Sequence, residues 1–141
     1  MNGKTLAKGK PRLGRVLIVE DDAVLALALE DALLAGGARE VAICPSMEST
    51  KAEFGKGRVD AIVIDVHLAD RDDGWALAEL VDMLGARPRI VFSTGTPQDI
   101  PEPIGEMGPV FEKPYDPAQL VAALSGEEKR GLFAKLRDAI G

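Results

Sequence analysis

The chain has 141 residues, 46% of them hydrophobic, and a formal charge of −6. That length and apolar content suit one compact domain with a continuous core, while the acidic balance favours a cation site and argues against nucleic acid as a general partner. Cys44 is the only cysteine, which excludes an intramolecular disulfide and a thiolate metal cluster, and neither a membrane span nor a secretory signal is legible, so a soluble, cytoplasmic protein is expected.

Residues 1–14 carry Lys4, Lys8, Lys10 and Arg12 among glycines with no apolar period, and read as a flexible basic tail. A domain over 15–124 follows, in which short apolar runs alternate with longer amphipathic ones. The runs are Val16–Val19, Val41–Ile43, Ala61–Ile64, Ile90–Phe92 and Val110–Phe111. They are rich in β-branched residues with little alternation, as strands covered on both faces require.

Leu25, Ala28, Leu29, Ala32 and Leu33 recur at helical spacing before Gly36, which predicts a helix over about 23–35. Shorter helices are expected at about 46–55, with Met47, Lys51 and Phe54 on one face, and at about 75–85, with Trp75 as a packing residue. Between Gly95 and Gly108 the prolines at 97, 101 and 103 favour a loop or one short turn over a full helix. Asp116, Pro117 and Gln119 then mark the start of a helix to about 124. Residues 125–141 read as a helical extension: Ser125 and Glu128 have capping-box spacing, and Leu132, Phe133, Leu136 and Ile140 form an apolar stripe. That stripe suits packing on its own domain as well as docking to a partner or a second copy. The whole pattern is a doubly wound α/β domain.

In such sheets ligands bind beyond the carboxyl ends of the strands. Glu20-Asp21-Asp22 follows the first run, Asp65 the third, Ser93-Thr94-Gly95 the fourth, and Lys113-Pro114 the fifth. Hard carboxylate oxygens suit Mg²⁺ or Mn²⁺, and such a cation offsets the charge on both a carboxylate nucleophile and a phosphoryl group. Taken singly, Asp65 could instead cap a helix, and Glu20 to Asp22 could complement a helix dipole.

Jointly these strand ends, with Ile62-Val63-Ile64-Asp65 and Asp73-Gly74, resemble the receiver domain of bacterial response regulators over about residues 14–124. The resemblance implies a flavodoxin-like five-stranded sheet in the order 2-1-3-4-5, with Asp65 as phosphoacceptor. It implies a Mg²⁺ (or Mn²⁺) site formed by Glu20, Asp21, Asp65 and the backbone carbonyl of His67. Thr94 would be the switch hydroxyl, Lys113 the phosphoryl-binding lysine, and Gly95 and Pro114 supporting residues, with a cis Lys113–Pro114 bond.

Phe92-Ser93-Thr94-Gly95 and the proline-rich connection resemble single-domain receivers with a Phe-Ala-Thr-Gly type motif and a shortened or irregular fourth helix. Val110 stands where many receivers carry an aromatic ring, which shifts the expected output to the loop 95–108. The expected partners are a sensor histidine kinase or phosphotransfer protein and a downstream protein target, with no membrane and no nucleic acid, for a monomer or weak dimer. No enzymatic activity is expected apart from Mg²⁺-dependent self-phosphorylation and autodephosphorylation. Two alternatives remain open: a pseudo-receiver that binds a partner without phosphorylation, and a phosphohydrolase. His67, where such hydrolases commonly carry a second acid, disfavours the latter.

Overall fold

The computed structural model describes residues 13–70, 88–100 and 105–126. The tail before Leu13, the expected helix at 75–85 with Asp73, Gly74 and Trp75, and the extension beyond Gly126 lie outside the described residues. Within them the elements are β1 (Gly14–Val19), α1 (Ala23–Ala35), β2 (Ala38–Cys44), α2 (Met47–Phe54), β3 (Ala61–Asp65), α3 (Val66–Asp70), β4 (Arg89–Thr94), a 3-10 turn (Pro97–Asp99), β5 (Val110–Glu112) and α4 (Pro117–Ser125). All strand pairs are parallel, in the order β2-β1-β3-β4-β5.

Alternate residues of the central strands enter two separate cores, one on each face of the sheet. Val16, Ile18, Val63 and Val91 meet Leu29 and Leu33 of α1 and Leu120 and Leu124 of α4. Leu17, Val19, Ile64 and Phe92 meet Met47 of α2 and Val66 and Leu68 of α3. Strands buried on both faces must be apolar throughout, which is why the sequence runs show no alternation.

The helix starts follow local chemistry. The Asp22 carboxylate accepts from Val24 N at 3.0 Å and Leu25 N at 3.1 Å, and Asp116 accepts from Ala118 N at 2.9 Å ahead of Pro117. Ser46 and Ser49 form a reciprocal capping box on α2. On α2 the residue turned inward with Met47 is Thr50, while Lys51 is exposed, one position away from the expected face. Ser125 ends α4, its hydroxyl donating to the Ala122 carbonyl at 2.8 Å.

At the amino-terminal edge of the sheet an arginine sits where an apolar residue would be expected. Arg15 of β1 is 4% exposed. Its guanidinium pairs with Glu53 Oε1 at 2.6 Å and Glu40 Oε2 at 3.3 Å, and donates to the carbonyls of Glu53 at 3.1 Å and Gly57 at 3.2 Å. It thereby ties β1 to β2 and to the end of α2.

Removing the guanidinium leaves the Glu53 and Gly57 carbonyls and the solvent-accessible Glu40 and Glu53 carboxylates without their partner, so Arg15→Met should cost about 2 kcal/mol in urea unfolding. The Lys56 ammonium, helped by Arg15, holds the Glu53 carboxyl below the ordinary carboxylate range despite some desolvation. Its contribution is therefore present above the unfolded pKa and lost as pH falls through the folded one. Urea midpoints across the acid range should decline less steeply in Arg15→Met than in the parent protein, and an unchanged acid limb would assign the depression to Lys56 alone.

Candidate functional site

The strand order places the ends of β1 and β3 side by side, with Val19 opposite Ile64. Glu20 directly follows β1 and Asp65 ends β3, so two carboxylates emerge from neighbouring strands, and both are almost fully buried. Exposed Asp21 joins them: one oxygen from each of Glu20, Asp21 and Asp65 lies within 4.8 Å of the others. Asp22 does not belong to this group, because its carboxylate is committed to capping α1 while its N–H donates to Glu20 Oε2 at 3.1 Å.

Lys113 comes in from the far side of the sheet. Its backbone N–H donates to the Thr94 carbonyl at 2.8 Å, and a cis Lys113–Pro114 bond follows. The ammonium lies 3.0 Å from Glu20 Oε1 and 3.1 Å from Asp65 Oδ2. Burial alone would lower its pKa, but the hydrogen bonds and charges of Glu20 and Asp65 outweigh that and hold it above the ordinary lysine value. Burial likewise pushes the Glu20 carboxyl up, with Asp65 adding to the rise, against the pull of Lys113 and the Asp22 amide.

Glu20, Asp21 and Asp65 thus gather three carboxylates beside the Lys113 ammonium, a donor set suited to a divalent cation. Glu20 Oε1 is sealed from solvent, and its Lys113 contact is an ion pair without directed hydrogen-bond geometry, so it retains ligand capacity. Hard oxygen ligands and close spacing together fit Mg²⁺ or Mn²⁺.

Asp65 also does what a lone aspartate after a strand commonly does. Its Oδ1 accepts from His67 N at 2.9 Å and more weakly from Leu68 N at 3.4 Å, capping α3. That short helix was not expected ahead of the one at about 75–85. The His67 N–H, rather than its carbonyl, thus meets Asp65, since helical carbonyls point along the axis toward the carboxyl end. Thr94 is buried at the end of β4, with Oγ1 accepting from Thr96 N at 3.0 Å. Gly95 has open space where a Cβ would stand, and half-buried Val110 packs in the same core as Ile100.

Sequence reasoning did not single out Tyr115. Its ring meets Phe111 edge-on, with centroids 6.1 Å apart, and its hydroxyl is buried near that of Ser93. Neither hydroxyl has a partner at hydrogen-bonding geometry, although the nearness of Ser93 pulls the phenol pKa down while burial and the charges of Glu20 and Asp65 push it up more strongly. Ser93 stands opposite Asp65 in the sheet, so this pair forms the floor beside the acids. An aromatic two residues after a lysine that directly follows a strand was the available signal.

The model of the response regulator receiver domain matches residues 16–125. Among solved structures, a receiver domain (CheY-like) from Methylobacillus flagellatus is 26% identical, with a TM-score of 0.63 over 84% of this chain and 98% of that one. The response regulator PhyR from Brucella abortus is 24% identical, with a TM-score of 0.63 over 89% of this chain but 53% of that one, so this chain spans about half its length. A response regulator from Burkholderia pseudomallei, described with a phosphorylated aspartic acid, calcium ion and citrate, is 23% identical, with a TM-score of 0.64 over 88% of this chain and 74% of that one. No curated protein matches the chain.

The different tasks of Asp21 and Asp22 should separate cleanly. Asp22→Ala is expected to lower stability by about 1 kcal/mol through the lost cap while leaving Mg²⁺ affinity nearly intact. Asp21→Ala should do the opposite, and Mg²⁺ titration followed by amide shifts, paired with urea unfolding, reads both quantities. Equal affinity losses would mean that Asp22 leaves its cap to serve as a ligand.

Proposed function

The chain belongs to the response regulator receiver family, and from that premise we propose that it is a phosphoacceptor switch modified on Asp65 by a sensor histidine kinase or phosphotransfer protein. The observation that carries this reading is the Lys113 ammonium bridging Asp65 Oδ2 and Glu20 Oε1, with Asp21 beside them. An isolated surface aspartate would need no such surroundings.

A carboxylate oxygen of Asp65 attacks the phosphorus of a phosphorylated imidazole. The new O–P bond forms as the N–P bond breaks, and the electron pair stays on the imidazole nitrogen, which takes a proton. Lys113 is placed to exchange part of its carboxylate pairing for a phosphoryl oxygen. Thr94 can turn its hydroxyl toward the same group by giving up the Thr96 amide. Glu20, Asp21 and Asp65, with the His67 carbonyl, would hold a divalent cation, which would supply charge neutralisation for the nucleophile and the incoming phosphoryl group.

A second reading, partner binding without phosphorylation, is favoured by one observation: both Asp65 oxygens are already engaged, Oδ1 by the α3 amides and Oδ2 by Lys113. Acetyl phosphate separates the two. The first reading expects stoichiometric labelling that requires Mg²⁺ or Mn²⁺ and falls to background in Asp65→Asn. Absence of labelling in a protein that still binds Mg²⁺ would favour the second, and labelling of Asp65→Asn at the parent rate would reject Asp65 as acceptor.

A switch must also change a surface. Phosphorylation would give Thr94 and Lys113 a doubly charged partner at the two ends of the connection 95–112. Amide exchange in that connection should slow on adding Mg²⁺ and beryllofluoride, and identical exchange with and without them would place the output elsewhere.

A further inference from the structure

Helix α1 is apolar on nearly every side. Ala26, Leu29 and Leu33 face the sheet, yet Val24 is 79% exposed, Leu27 55% and Leu34 48%. With exposed Ala28 and Ala35 these form a second stripe at spacings of three, four and seven residues, interrupted by exposed Asp31. A helix apolar all round is ordinarily covered on both sides, and a continuous apolar stripe differs from scattered surface leucines.

The geometry indicates where a cover could come from. Helix α1 ends at the amino-terminal edge of the sheet, where Gly37 O accepts from Leu13 N at 3.2 Å. Helix α4 ends at the same edge, where Leu124 O accepts from Arg89 Nη1 at 3.2 Å beside the start of β4. The two helices are in close contact, since a Cβ added at Gly36 would lie 2.6 Å from Val121 Cγ1. Gly126 then takes a left-handed conformation, with φ +88, that turns the chain out of α4. The chain thus leaves the described domain next to the foot of the uncovered stripe.

We propose that the outer face of α1 is the docking surface for this chain's own segment 127–141, running antiparallel to α1 as an amphipathic helix. The lengths agree: the segment makes about 22 Å of helix, and α1 is about 20 Å long. The apolar stripe of the segment, Leu132, Phe133, Leu136 and Ile140, spans the levels of α1 from Ala35 up to Leu27. An antiparallel register sets Phe133 against Leu34 and Ile140 against Leu27. Lys135 and Arg137 then flank the level of Asp31, so the charge that interrupts the stripe finds an opposite partner. The proposal stands on the α1 surface and does not depend on phosphorylation.

The test uses the full chain with a nitroxide at Ala134→Cys, a position opposite the apolar stripe of the segment. Cys44 does not compete for the label, being fully buried with its thiol pushed up to about 11. Outward-facing amides over 24–34 should lose most of their intensity relative to the reduced label. Exposed-site variants Leu34→Lys and Asp31→Lys, which should not perturb the fold, are expected to restore it. A mixture of nitroxide-bearing chains with separately ¹⁵N-labelled, spin-free chains should show no loss. Full intensity over 24–34 in the labelled chain overturns the proposal. Loss of equal size in the mixture also overturns it, assigning the face to a second copy.

Discussion

The site depends on an electrostatic constraint created by the sheet: two carboxylates on adjacent strand ends, both removed from water. Unit charges about 4 Å apart interact by about 4 kcal/mol at an effective dielectric of about 20, a large share of the 5–15 kcal/mol that keeps a typical domain folded. Glu20 and Asp65 can both be charged there only with compensation. Lys113 supplies part of it, while burial above all, with Asp65 adding to the rise, keeps the Glu20 carboxyl above its ordinary range. Carboxylates withdrawn from water in this way favour a species that brings positive charge to them, which is why their burial points to a divalent cation more strongly than their number alone would.

The strand order makes this possible. Placing β1 beside β3 brings together residues separated by most of two βα units, and placing β4 between β3 and β5 leaves Lys113 one strand away from Asp65, with which it pairs. The bond from Lys113 N to Thr94 O fixes the start of that reach. Ser93 and Tyr115 fill the floor on the α1 and α4 side of the sheet, while Thr94 faces the side occupied by Ile64 and Phe92. The two hydroxyl-bearing neighbours on β4 therefore serve opposite faces, and only Thr94 lies at the mouth of the loop 95–108.

The legible parts of this architecture were those with a local chemical signature. Helix α1 could be bounded from its leucine spacing and Gly36, α4 from Asp116-Pro117, and the strands from β-branched runs. Sheet order was implied by the family resemblance that the strand-end motifs carry, and the sheet was found in that order, with Glu20, Asp65 and Lys113 side by side at its carboxyl edge. Arg15 was illegible because nothing near it in sequence announces a buried charge: its partners, Glu40 and Glu53, lie 25 and 38 residues away. Helix α3 was missed for the opposite reason. Five residues are too few to show a period, and its start is signalled only by an aspartate already assigned another task.

That double assignment of Asp65 has a physical consequence. A carboxylate capping a helix sits among N–H groups at the positive end of the peptide dipoles, an environment that suits an anion and opposes a cation. A divalent cation bound to the same carboxylate would favour the reverse, a carbonyl turned toward the ion, and His67 could offer its carbonyl only by leaving the helical conformation in which its N–H holds Asp65. The terms that hold the capped state are small: a cap is worth about 1 kcal/mol and the dipole about 0.3–1 kcal/mol. A five-residue helix adds little beyond these, since it is shorter than helices that hold together on their own. Burial of Val66 and Leu68 is what anchors α3. The capped state at Asp65 is thus held by terms small enough for one bound divalent ion to overturn, and the opening would fall at His67, whose N–H closes the cap.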